Sequence, residues 1–86
     1  MTLFSKEFVE RQTKIKDALE EVGLGDLEAK LSRGSDLAWG SVRMELYKDG
    51  QMVGEILYYG EPPVVSFSDN AYDSYYQKLR DYFKTH

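Results

Sequence analysis

Val42-Arg43-Met44-Glu45-Leu46-Tyr47-Lys48-Asp49-Gly50-Gln51-Met52-Val53-Gly54-Glu55-Ile56-Leu57-Tyr58-Tyr59 is the stretch on which the fold turns. Val42, Met44 and Leu46 alternate with Arg43, Glu45 and Tyr47, the period-two pattern of a half-buried strand. A turn signal follows, then a second run. Two registers compete. A two-residue Asp49-Gly50 turn sets Leu46 beside Val53 and Met44 beside Glu55, which brings a carboxylate to the apolar face. A three-residue Lys48-Asp49-Gly50 loop pairs Tyr47 with Gln51, Leu46 with Met52, Met44 with Gly54 and Val42 with Ile56. That register keeps one face apolar and sets Arg43 opposite Glu55, so it is the one expected. The other face then holds Arg43, Glu45, Tyr47, Val53, Glu55 and Leu57.

The flanks follow from the same reasoning. Gly60-Glu61-Pro62-Pro63 breaks the chain, and Val64 to Ser68 reads as a third, short strand with prolines at its start. From about Asn70 to Lys84, Tyr72, Tyr75, Tyr76, Leu79, Tyr82 and Phe83 recur at helical spacing, with Asp69 as the expected N-cap. Upstream, Phe4, Phe8, Ile15, Leu19 and Val22 mark a helix from about Ser5 to Val22, its stripe widened by Val9 and Ala18. Ser5 suits the N-cap, and Gly23 the left-handed position past the end. Leu24, Leu27 and Leu31 share a helical face behind Asp26, so 24–31 reads as a short helix. Leu27, Ala29 and Leu31 also alternate as a strand would. The expected fold is α+β: one domain over 1–86, in the order α, short α, β, β, β, α. Its three-stranded antiparallel sheet carries the two long helices on one face.

Composition excludes much. The chain has 86 residues, too few for two cores. It has no cysteine, which removes disulfides, thiolate metal sites and cysteine nucleophiles. Its one histidine is His86, so a histidine-based metal site or triad is not expected. Asp69 and Asp73 stand four apart at a helix start, where carboxylates cap and complement the dipole rather than catalyse. Gly23-Leu24-Gly25 lacks the preceding strand and the Gly-Lys-Ser/Thr of a phosphate loop. No catalytic residue, metal or cofactor is expected. No run approaches the roughly 18 apolar residues of a membrane span, and Met1 to Glu7 lacks the pattern of a secretion signal. With no cysteine, a cytoplasmic location is expected.

Charge is the remaining clue. The net charge is −4, and Lys48 to Lys78 encloses no base while carrying Asp49, Glu55, Glu61, Asp69 and Asp73. Such a chain is a poor ligand for nucleic acid, whose affinity comes from displaced counterions. The acidic stretch reads either as a solvated surface that keeps the chain soluble or as a footprint for a basic protein partner. Tyr58 and Tyr59 must face opposite sides of the sheet, and one helix cannot bury all its tyrosines, so some reach the surface. Tyrosine beside carboxylates makes a recognition surface. The expected contacts are Glu55, Glu61, Asp69 and Asp73 as charges, with Tyr59, Tyr76 and Trp39 as anchors.

The α-β-β-β-α order resembles that of double-stranded-RNA-binding domains. Those carry a lysine-rich start to the last helix, where this chain reads Ser68-Asp69-Asn70-Ala71-Tyr72-Asp73, so their function does not transfer. In size, acidity and mixed order the chain is also similar to phage anti-CRISPR inhibitors and bacterial toxin-immunity proteins. The function expected is a non-enzymatic binding protein of inhibitor or immunity type. It would mask a basic surface of a nuclease or other nucleic-acid-binding protein, without contacting nucleic acid or membrane itself. The alternative is a self-associating module, a homodimer.

Overall fold

The computed structural model describes residues 6–32 and 41–85. Among them the order is α1 (Lys6–Glu21), β1 (Glu28–Leu31), β2 (Val42–Lys48), β3 (Gln51–Tyr58), β4 (Val64–Phe67), a single 3₁₀ turn (Asn70–Tyr72) and α2 (Asp73–Thr85). The strands form one antiparallel sheet in the order β1-β2-β3-β4. The α+β class stands, but the sheet has four strands rather than three. The extra one is the segment expected as a short helix. Phe4, Ser5 and Trp39 lie outside the described residues.

The reason for that correction lies at the end of α1. Gly23 takes φ +93. Its N–H donates to the Glu20 carbonyl at 3.1 Å, and that of Leu24 to the Leu19 carbonyl at 2.7 Å. These two bonds make a Schellman stop, and Leu19 and Leu24 are both buried in the one core cluster. A tight turn follows, with Leu27 N–H donating to the Leu24 carbonyl at 3.1 Å. Four residues remain, too few to nucleate a helix. As a strand they gain the β2 ladder, Glu28 opposite Tyr47 through Leu31 opposite Met44.

The hairpin register also differs from the one expected. Lys48 pairs with Gln51 and Tyr47 with Met52 around a two-residue turn. Asp49 (φ 52) and Gly50 (φ 82) are both left-handed, as a type I′ turn requires. Leu46 then pairs with Gly54 rather than Val53, and Met44 with Ile56. One extra residue in β3 is a β-bulge. It removes the objection to the tight turn, because the one-residue slip takes Glu55 off the apolar face. Met52 is left outside at 44% exposure, and Val53 packs against the core instead of joining the other face.

Among the described residues, fourteen buried apolar ones form a single cluster. It joins Phe8, Ile15, Ala18 and Leu19 of α1 and Leu79 and Phe83 of α2 to Val42, Met44, Leu46, Ile56, Tyr58 and Val65 of the sheet. Every second residue of β2 is buried, as the alternation dictates. Val9, expected in the apolar stripe, is instead 49% exposed. Gly54 has a steric role. A Cβ there would lie 2.5 Å from the Ser66 carbonyl oxygen and 2.6 Å from the Phe67 ring, so β4 approaches β3 only because the side chain is absent.

Candidate functional site

Three surfaces hold the residues singled out by sequence. The first is the sheet face turned away from the core cluster. Its centre is Arg43, whose Nε and Nη2 donate to Oε2 of Glu55 at 3.0 and 2.9 Å. The two residues are diagonal neighbours, since Arg43 pairs with Leu57 and Glu55 with Glu45. Their side chains are 38% and 23% exposed. The bond to Glu55 and its charge hold the Arg43 proton more tightly than usual, and Tyr59 and Glu45 add to this. Beside them Tyr47 donates to Glu45 Oε1 at 3.0 Å, which raises the phenol pKa. Lys30 lies 4.7 Å over the Tyr47 ring, a cation–π contact, and 3.9 Å from Glu28. Met52 and Val64 stand exposed on the same face, and Tyr59 follows at its end, 55% exposed.

The second surface lies where α1 meets the end of β3. Tyr58 is 1% exposed, yet its hydroxyl donates to Glu61 Oε1 at 2.5 Å. Burial first, then the bond to Glu61 and its charge, push the phenol up to about 12, against the opposing effect of Arg11. Arg11 and Lys14 sit 5.1 and 6.0 Å from the Tyr58 ring centroid. An open cavity of about 370 Å³ is lined by these groups with Glu7 and Glu10. It mixes three carboxylates with two cations. Glu61 serves to close the loop into β4 by satisfying a buried hydroxyl.

The third surface runs along β4 beside α2. Asp69 accepts from the Ala71 N–H at 2.9 Å and so caps the 3₁₀ turn that starts the last helical segment. One cavity of about 270 Å³ is lined by Val65, Ser66, Phe67, Asp73 and Tyr76. A second, about 360 Å³, is lined by Pro62 to Val65, Tyr76 and Arg80. Tyr76 and Val65 border both, so the two cavities form one groove. Arg80 lies 5.6 Å from the Tyr76 ring centroid. The groove is acidic at its Phe67 end and basic at its Val64 end.

The expected contact residues are therefore divided. Glu55 and Tyr59 share the open side of the sheet, Glu61 is turned toward α1, and Asp73 and Tyr76 share the groove next to Asp69. Sequence reading missed Met52 as a surface residue, because the bulge decides its side. It also missed the pairing of Arg80 with Tyr76. Their i,i+4 spacing on one helix was the available signal. Among the described residues no group of three His, Cys, Asp or Glu could hold a metal, and no helix is long and apolar enough to cross a membrane. No protein-family model, curated protein or solved structure matches the chain.

Proposed function

We propose that this chain is a non-catalytic binding protein that docks a partner protein on the sheet face away from the core. The reading takes α1 and α2 to lie together on the other face, which is supported by their common core cluster. The observation that carries it is the composition of the uncovered face. Met52, Leu57, Tyr59 and Val64 supply apolar and aromatic area around a polar centre, the Arg43–Glu55–Glu45–Tyr47 network. Interfaces are built in this way, with rigid aromatic anchors beside oriented polar groups. Glu28, Glu45 and Glu55 outnumber Lys30 and Arg43 there, so the partner presented with basic residues is the one favoured. An inhibitor-type protein masking the nucleic-acid-handling surface of such a partner fits this balance, and the cytoplasm is the compartment in which we place it.

The test is affinity capture from a bacterial lysate at low and high salt. The expected result is a basic protein retained by the wild type at low salt and lost with Met52→Ser/Tyr59→Ser. Val9→Ser, an equally exposed change on α1, should retain it. A partner held equally by both variants would overturn the assignment of this face.

A further inference from the structure

We propose that two copies of this chain pair through β4, edge to edge and antiparallel, to make one continuous eight-stranded sheet. β4 pairs with β3 through Leu57 opposite Val64 to Gly54 opposite Phe67, and the Ser68 N–H donates to the Val53 carbonyl at 2.9 Å. Antiparallel ladders alternate, so Val64, Ser66 and Ser68 turn their amides toward β3. Val65 and Phe67 turn theirs outward. Among the described residues no strand meets them there. The edge carries no charge and no bulge, and its one proline pair, Pro62-Pro63, lies before it. Apart from its shortness, four residues, the strand itself has none of the usual devices that blunt an edge.

Within Val64–Phe67, a second copy forms the most bonds in one register. Centred on Ser66, Val65 of one copy meets Phe67 of the other, and each pair exchanges two N–H···O bonds, four in all. A centre at Val65 would oppose Phe67 to Pro63, which has no N–H to give. Charge selects the same partner. In an antiparallel two-fold arrangement the Asp73 end of each groove meets the Arg80 end of the other, so both ends are matched at once. A uniformly basic extended peptide would match Asp73 and oppose Arg80. Closure is also assured, since the far edge, β1, carries Glu28 and Lys30 and does not invite a third copy. The proposal stands apart from the docking reading above. Pairing at β4 leaves the sheet face free and doubles it.

The experiment uses the absence of cysteine. In this register the two Ser66 residues form a non-hydrogen-bonded pair, with Cα atoms about 4.5 Å apart, a spacing a disulfide can bridge. Ser66 is exposed, so Ser66→Cys leaves the monomer fold intact. Under mild oxidation it should give a covalent dimer at least tenfold faster than Thr13→Cys, at an exposed position on α1. Sedimentation of the wild type should show the 10.0 kDa chain passing to twice that mass as concentration rises. Asp73→Arg and Arg80→Asp should each weaken this pairing about tenfold, and the double exchange should restore it. A wild type that stays monomeric at millimolar concentration, equal crosslinking of the two cysteine variants, or no rescue by the double exchange would each overturn the proposal.

Discussion

The two edges of the sheet are built from strands of equal length and opposite character. β1 reads Glu28-Ala29-Lys30-Leu31 and β4 reads Val64-Val65-Ser66-Phe67. Both contribute four residues, and among the described residues both pair with one neighbour only. β1 alternates charged with small or apolar residues, and three of its four residues are exposed. Its Lys30 lies against Glu28 and Tyr47, so its charges are engaged on its own sheet. β4 has no charge, and it is flanked by a groove with α2. An edge strand is a hazard that charge normally suppresses. One edge of this sheet is suppressed and the other is not, which assigns them different roles: β1 ends the sheet and β4 leaves it open.

The largest effect should come from what anchors β4. Leu79 of α2 is fully buried in the core cluster that also holds Val65. Leu79→Ala leaves a cavity there and should remove about 3–4 kcal/mol of stability in urea unfolding. A smaller loss is expected for Leu27→Ala, about 2 kcal/mol, since Leu27 precedes β1 at the margin of the core and is 7% exposed. Equal losses would mean that the two edges are held alike. Gly54→Ala sharpens the point. Its new Cβ would strike the Ser66 carbonyl and Phe67, both parts of β4, at a cost of about 2–3 kcal/mol. Hydrogen exchange should then show β4 amides losing protection while the β1–β2 ladder keeps its own.

Alkaline pH offers a reversible way to loosen the same side. Tyr58 ends β3, and its bond to Glu61 closes the loop that leads into β4. Its pKa is raised from 10.0 to about 12 in the folded protein. The folded state therefore holds this proton more tightly than the unfolded one. The associated stability is fully present below pH 10 and is lost as pH rises from about 10 to about 12. At 1.36 kcal/mol per pKa unit the loss is about 2–3 kcal/mol. Urea midpoints between pH 9 and 12 should fall for the wild type and much less for Tyr58→Phe. Parallel slopes for the two proteins would remove Tyr58 as the titrating group.

The contrast between the edges also explains what the sequence could tell. The alternation of β2, the Gly23 stop of α1, the Asp69 cap and the tyrosine-rich last helix are local signals. Each is set within a few residues, and each is found in the structure. β1 is not local. Leu24 to Leu31 fits either period, and only the free edge of β2, supplied by residues more than ten positions later, makes it a strand. The hairpin register failed for the same reason. Its turn favours two residues and its apolar face favours a shift, and a bulge satisfies both. That one residue moves Met52 out and Val53 in, which decides part of the candidate face. The Arg43–Glu55 pair was legible because a long arginine reaches the diagonal neighbour as well as the direct one. The division of the acidic residues among three surfaces was not legible. It depends on which way Glu61 and Asp73 turn once Tyr58 and the α2 groove are in place.

The smallest effect on stability should be the most informative about the edges. Lys30→Val places an uncharged β-branched residue in β1 and leaves Glu28 as its one charge. Lys30 is exposed, with a side chain 53% accessible, so the change should alter the unfolding free energy by less than about 0.5 kcal/mol. Solution behaviour should change far more. If the Lys30 charge on β1 is what closes the assembly, a chain whose β1 keeps only Glu28 can pair at both ends, and open-ended growth replaces a closed pair. Light scattering of Lys30→Val should then show species larger than twice 10.0 kDa, increasing with concentration and absent from the wild type. A Lys30→Glu variant, still charged, should behave as the wild type does. If Lys30→Val scatters no more than Lys30→Glu, the Lys30 charge is not what protects β1, and the difference between the two edges must come from Glu28 or from the groove beside α2 instead.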